Sequence, residues 1–172
     1  MPAFRVVLLQ NSGVVGSVPD GTLAAALFFM VIIMFMLNTE HSFDAAHFLK
    51  GYEGKCSNIH GHRWKVIARA ASPDLNASGQ TRGMIMDFGE FKAILRELVQ
   101  TFDHTLIVEK GSLKETTMAA LHEEGFSVTE VPFRPTAEEL ARYFFEALQE
   151  RACPVCEVAV YETPVNCAIY SC

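Results

Sequence analysis

Apolar positions recur at a period of two in separate parts of this 172-residue chain, and this spacing predicts strands. Residues 35–48 alternate loosely between apolar and polar side chains and are rich in β-type residues. Residues 62–71 show the same alternation after a Gly- and Lys-containing loop. Near the other end, residues 156–163 and 166–171 predict a closing hairpin, so strand pairs begin and end the patterned part of the chain.

Helical spacing and capping signals fill the region between these strands. Asp87 begins a D-x-x-E capping signal, and the helix that follows is expected to run to about Thr101. A shorter and weaker helix is expected after Ser112, whose S-x-x-E capping box ends in Glu115, and it should stop at Gly125. Thr136 caps the next strong helix. The buried stripe expected for that last helix is Leu140, Tyr143, Phe144, Ala147 and Leu148.

These elements predict an α+β fold of order ββααββ. Two hairpins that bracket two main helices favour an antiparallel four-stranded sheet with both helices on one face. A chain that is half apolar and 20% charged can build a real core of this size. We therefore expect a single domain over residues 34–172.

The first 33 residues differ in composition from the rest of the chain. Only Arg5 and Asp20 are charged before Glu40. The apolar run 23–37 has 15 residues, fewer than the roughly 20 needed to cross a bilayer, and no signal-peptide cleavage pattern follows it. We expect residues 1–33 to be an N-terminal extension outside the fold, with translation starting at Met34 or Met36 and a membrane anchor as the alternative.

Charge and cysteine content narrow the class of protein further. A net charge of −6, with no cluster of Lys and Arg, argues against a nucleic-acid partner. Five irregularly spaced cysteines do not resemble a disulfide framework, which indicates a reducing compartment. The chain is therefore expected to be cytoplasmic, without a membrane partner.

The segment 56–62, Cys-Ser-Asn-Ile-His-Gly-His, together with His47 carries the main chemical signal. If His60 opens a strand, its period of two places His60 and His62 on the same face. Three imidazoles suit Zn²⁺ and leave a fourth position open for water or substrate. A histidine-containing turn without a metal is the alternative. His41 is excluded, because about 20 Å of strand separates it from His47.

Six motifs in register resemble one family. They are FDAAH, C-x3-HGH, GMIMDF, FDHT, RPTAEE and YET, and the resemblance runs from about residue 36 to 170. Together they resemble the 6-pyruvoyltetrahydropterin synthase superfamily, and the C-x3-HGH spacing with VEKGSLK and FRPTAE is most similar to its bacterial 6-carboxytetrahydropterin synthase branch.

The resemblance implies a fold, a substrate and residue roles. It implies a tunnelling fold (T-fold) that forms homo-oligomers with zinc sites near subunit interfaces. The implied substrate is 7,8-dihydroneopterin triphosphate, converted to 6-carboxytetrahydropterin with release of acetaldehyde and triphosphate, in queuosine-type biosynthesis. The implied residues are the zinc ligands His47, His60 and His62, the catalytic thiol Cys56, the Asp103–His104 pair and the pterin-holding Glu162.

Each implied role has a rival interpretation. Cys56 beside a cation could lose its proton and act as a base, or it could be a fourth zinc ligand. His104, with Asp103 fixing its tautomer, could move protons near neutral pH, or it could be a histidine favoured by a helix end. Glu162 could accept two hydrogen bonds from a pterin, or it could be an ordinary glutamate at a strand end.

Two classes of function follow from these residues. The first is a zinc-dependent lyase, either the 6-carboxy enzyme or one with 6-pyruvoyltetrahydropterin synthase activity. The second is a non-catalytic zinc-binding oligomer. Cys153 and Cys156 have CxxC spacing but follow a predicted helix C-terminus, so we interpret them as structural.

Overall fold

A computed structural model of the protein describes residues 34–172, and the extension predicted at residues 1–33 lies outside this part. The strands are β1 (Phe35–His47), β2 (His60–Ser72), β3 (Leu106–Glu109), β4 (Val128–Val131), β5 (Val155–Thr163) and β6 (Asn166–Ser171). The helices are α1 (Phe88–Gln100), α2 (Glu115–Glu123) and α3 (Ala137–Glu150). Between residues 34 and 172, every helix is too short or too polar to span a membrane.

The strands form one six-stranded mixed sheet in the order β4-β3-β1-β2-β5-β6. The neighbours β1–β2, β2–β5 and β5–β6 are antiparallel, whereas β1–β3 and β3–β4 are parallel. The predicted four-stranded antiparallel sheet is therefore wrong, although the four strands it named all exist. The missing strands β3 and β4 have four residues each, and α2 supplies the crossover that their parallel pairing requires.

One face of the sheet carries the core. Residues opposite each other on antiparallel strands point to the same side, and Phe43 lies opposite Trp64 in the β1–β2 ladder. Val66 lies opposite Val160 in the β2–β5 ladder. These four side chains are buried in one cluster with residues of α1 and α3. The two main helices therefore cover one face, as predicted, while α2 buries none of its residues.

The two strong capping signals are confirmed and the weak one is wrong. Asp87 and Thr136 each accept a hydrogen bond from the backbone N–H three residues later, which satisfies a free donor of the first helical turn. Ser112 does not cap α2. That helix begins at Glu115, after Lys114, whose side chain makes no capping hydrogen bond.

We expect replacement of Phe144 to test the core most directly. Its ring lies 5.5 Å from Phe102 and 6.2 Å from Phe43, between centroids, and it is fully buried. Phe144→Ala should lower the free energy of unfolding by about 3–5 kcal/mol, measured by chemical denaturation. Phe88→Ala is the control, because Phe88 is 60% exposed and should change stability by roughly 0.5 kcal/mol or less. Equal losses in the two variants would contradict this core assignment.

Candidate metal centre and active site

The three predicted metal ligands converge at one end of the core face. β1 ends at His47 and β2 begins at His60, and the two residues are directly opposite each other in the ladder. His62 follows on the same face, two residues along β2. The centroids of the three imidazole rings are 4.5 to 5.2 Å apart. The sheet register therefore gathers three imidazoles at one point.

Backbone carbonyls orient two of these rings. His47 Nδ1 donates to the carbonyl oxygen of Pro135 at 2.7 Å, and His60 Nδ1 donates to the carbonyl oxygen of Asn58 at 2.8 Å. A proton held on Nδ1 leaves the lone pair on Nε2 free, as in histidines that bind metals. Because Pro135 directly precedes the cap of α3, the start of that helix fixes the orientation of His47.

The donor set fits a divalent cation. The Nε2 atoms of His47 and His62 are buried and have no hydrogen-bond partner among residues 34–172. Burial lowers the pKa of both imidazoles below the usual value, which favours the neutral form that binds metal. Trp64 packs against both rings, with centroids 4.9 and 5.4 Å away, and forms an apolar floor. Zn²⁺, which prefers imidazole nitrogen, is a suitable ion.

Glu162 belongs to this same group. Its Oε1 atom lies 3.4 Å from His47 Nε2 and 3.5 Å from His62 Nε2. One donor atom from each of the three histidines and from Glu162 lies within 4.8 Å of all the others. The sequence placed Glu162 at the rim of an apolar surface but gave no sign of this contact, because the contact depends on the pairing of β2 with β5.

Cys56 lies beside the metal group but outside it. It sits in a short 3-10 turn, Lys55–Ser57, in the loop between β1 and β2. Two hydrogen bonds hold this loop. The N–H of Leu49 donates to the carbonyl of Cys56 at 2.8 Å, and Arg134 Nη2 donates to the carbonyl of Lys50 at 3.1 Å. Cys56 is not among the converging donor atoms, which favours a base over a fourth ligand.

A cavity of about 300 Å³ joins Cys56 to the metal group. His47 and Glu162 line it together with Cys56. Its wall also contains side chains that our sequence analysis did not name as site residues, namely Tyr52, Thr136, Glu138 and Cys167. The RPTAEE motif was a usable signal for two of them, because Thr136 and Glu138 fall within it.

Asp103 and His104 form the pair that was predicted. Asp103 Oδ2 lies 3.0 Å from His104 Nδ1, and this contact leaves His104 Nε2 free to exchange a proton. Asp44 holds both residues, since its N–H donates to Asp103 Oδ1 at 3.0 Å and its carbonyl accepts from the N–H of His104 at 2.7 Å. The hydrogen bond from Asp44 is the main cause of the lowered pKa of Asp103.

The hydrogen bonds that anchor this pair argue against the alternative interpretation, in which the end of a helix alone accounts for His104. His104 has a left-handed backbone, with a φ of 57°, which is uncommon outside glycine and concentrated at functional sites. It lies beyond the end of α1, and its backbone is tied to Asp44 of β1 instead. Strand β1 therefore positions both a metal ligand and the Asp103–His104 pair.

Within one chain, His104 and Cys56 line different cavities, and the metal ligand His62 lines the one that contains His104. His104 lines a cavity of about 710 Å³ with Asp44, Arg63 and Leu121. This cavity shares no lining residue with the one that contains Cys56. The structure thus brings together the histidines, Glu162 and Cys56, and it places the Asp103–His104 pair apart from the thiol.

The CxxC pair has the features of structural cysteines. Cys153 is buried, and burial raises the pKa of both Cys153 and Cys156. A raised pKa opposes formation of the reactive thiolate. Cys153 and Cys156 follow the C-terminus of α3, as the sequence predicted.

Comparisons with known proteins agree on one family. The family model described as 6-pyruvoyl tetrahydropterin synthase matches residues 36–172. The 6-carboxy-5,6,7,8-tetrahydropterin synthase of Haemophilus influenzae is 37% identical over 80% of this chain and 99% of its own length. The protein of the same name from Synechocystis is 33% identical over 80% of this chain and 93% of its own length.

A solved structure shows the same fold. The 6-pyruvoyltetrahydropterin synthase of Plasmodium vivax superposes with a TM-score of 0.59 at 20% identity, covering 80% of this chain and 97% of that protein. At this identity the likeness supports the T-fold architecture and nothing finer.

We expect metal binding to depend on the converging histidines. A His60→Ala, His62→Ala double variant removes two of the four donors and should lose bound Zn²⁺, measured by elemental analysis after dialysis. His41→Ala is the matched control, because His41 lies on the same face of β1 but outside the donor group. Stoichiometric zinc retained by the double variant would show that the metal binds elsewhere.

Proposed function

This chain belongs to the 6-pyruvoyl tetrahydropterin synthase family, and from that membership we propose that it is a zinc-dependent 6-carboxy-5,6,7,8-tetrahydropterin synthase. The proposed reaction converts 7,8-dihydroneopterin triphosphate to 6-carboxytetrahydropterin, with release of acetaldehyde and triphosphate, in the cytoplasmic synthesis of queuosine-type deazapurines. The two relatives that carry this name support the choice of reaction. The structural observation that carries the proposal is the convergence of His47, His60 and His62 beside Cys56.

The proton transfers are assigned to Cys56 and His104. A bound zinc ion would act as a Lewis acid that polarises the oxygens of the substrate side chain. The Cys56 thiolate takes a proton from that side chain, because the cavity places this thiol beside the metal group. His104 returns a proton through Nε2, while Asp103 holds the Nδ1 proton. Triphosphate elimination followed by hydrolytic carbon–carbon cleavage, which consumes one molecule of water, then gives the products.

Glu162 is proposed to hold the pterin ring. A carboxylate can accept two parallel hydrogen bonds from the amino group and the ring N–H of a 2-amino-4-oxo pteridine. Glu162 lines the Cys56 cavity and is 30% exposed, so a ligand in that cavity can reach it. The pterin would then lie with its side chain toward the thiol and the histidines.

A homo-oligomer completes the site in this proposal. The Asp103–His104 pair and Cys56 face separate cavities of one chain, yet the reaction requires both near one substrate. A second copy, with its Asp103–His104 pair next to the Cys56 cavity of the first, would satisfy both requirements. Each complete site would therefore lie at a subunit interface.

The runner-up is 6-pyruvoyltetrahydropterin synthase activity, which the description of the matching family names. Product analysis separates the two. The zinc-loaded protein should release both triphosphate and acetaldehyde from 7,8-dihydroneopterin triphosphate, detected by mass spectrometry and an aldehyde trap. Triphosphate without acetaldehyde would establish the 6-pyruvoyl outcome. Detection of neither product would indicate a non-catalytic zinc-binding oligomer.

Mixing two inactive variants tests the shared site. Cys56→Ala should retain zinc but lose most turnover, because a base is removed and no metal ligand is lost. His104→Ala should also be inactive. If each site takes Cys56 from one chain and His104 from another, subunit exchange between the two variants should restore part of the activity.

One result would contradict the shared site and another the role of Cys56. One is the absence of recovery although mass spectrometry shows mixed oligomers. The other is loss of zinc from Cys56→Ala, which would make the thiol a ligand instead of a base.

A further inference from the structure

The carboxylate of Glu162 lies where a fourth metal ligand would lie. Its Oε1 atom is 3.4 Å from His47 Nε2 and 3.5 Å from His62 Nε2. These separations are too long for good N–H···O hydrogen bonds, which cluster near 2.9–3.0 Å. Hydrogen bonds therefore do not explain why the carboxylate lies next to two imidazole nitrogens.

A shared cation accounts for these separations. Ligands about 2.0–2.1 Å from a tetrahedral Zn²⁺ are roughly 3.3–3.4 Å from each other. The distances from Glu162 Oε1 to the two Nε2 atoms match the edge of such a tetrahedron. The Nε2 atoms of His47 and His62 are also buried without hydrogen-bond partners among the described residues.

The surroundings of Glu162 support the same assignment. Among residues 34–172, the only basic side chains within ion-pair distance of this carboxylate are His47 and His62. Glu157, on the same strand, instead pairs with Arg69. A positive charge between the imidazoles and Glu162 would compensate a carboxylate that otherwise faces neutral rings.

We propose that Glu162 is the fourth zinc ligand while the pterin site is empty, and that the arriving pterin takes this carboxylate away from the metal. The second half rests on the proposed function, in which Glu162 holds the pterin. Two parallel hydrogen bonds to a pterin require both carboxylate oxygens to face the ring, whereas ligation of the metal requires Oε1 to face the imidazole nitrogens, so one orientation of the carboxylate does not serve both. Pterin binding would then open the fourth coordination position for the substrate side chain.

The first experiment measures zinc affinity without any substrate. Competition with a chromophoric chelator should show at least about tenfold weaker binding for Glu162→Gln, and also for Glu162→Ala, in which no donor remains at this position. Glu157→Gln is the matched control from the same strand. Glu138→Gln is a second control, because Glu138 lines the same cavity but is not one of the four donors.

The result for Glu162 decides whether it is a ligand. Circular dichroism should show that each variant is folded before its affinity is compared. An affinity of Glu162→Gln and Glu162→Ala equal to that of the unaltered protein would overturn the assignment. An equal loss in Glu138→Gln would also overturn it, because the cause would then be the charge of the cavity.

The second experiment tests the exchange. In the Co²⁺-loaded protein, saturation with 7,8-dihydroneopterin should change the visible absorption of the metal, because a ligand leaves. The Glu162→Gln protein should differ from the unaltered protein before pterin is added and should change less afterwards. Pterin that binds without any change in the unaltered protein would disprove the exchange. Pterin that does not bind at all would count against the proposed function, whereas the zinc affinities would still decide whether Glu162 is a ligand.

Discussion

The antiparallel pairing of β1 with β2 is the constraint on which both the core and the site depend. The register that places Phe43 opposite Trp64 also places His47 opposite His60, because facing residues on paired strands share a side. A slip by one residue would send every one of these side chains to the other face. Burial of the aromatic pair therefore also stabilises the arrangement of the imidazoles.

Local patterns predicted the elements that local forces stabilise. The caps at Asp87 and Thr136 are properties of short segments, and the structure confirms them. The buried stripe predicted for α3 is confirmed except at Tyr143, which is only half-buried. Strands β3 and β4 escaped prediction because a segment of four residues is too short to show a clear periodicity. Their pairing is parallel and depends on contacts between distant parts of the chain. The start of α2 was not predictable from local sequence either, because Ser112 does not cap this helix.

The sequence predicted those features of the site that depend on the geometry of a single strand. A period of two sends His47 to one face of β1 and Asp44 to the other, so one motif supplies a metal ligand and the anchor of the Asp103–His104 pair. The sequence showed which residue types form the metal group and the Asp103–His104 pair, but not how far apart the two groups lie. Whether such groups share a cavity depends on the tertiary path of the chain: within one chain the metal ligand His62 lines the cavity of His104, whereas Cys56 lines a separate one.

Graded burial among the donors determines which of them can exchange. The His47 side chain is 1% exposed, that of His62 is 20% exposed and that of Glu162 is 30% exposed. Removing His47 from a metal would require movement of a ring that packs on Trp64 and is held by the carbonyl of Pro135. Glu162 lies near the end of β5 next to solvent, where a carboxylate can move at small cost. The fold thus favours permanent ligands on the core side and an exchangeable one on the side that a substrate approaches.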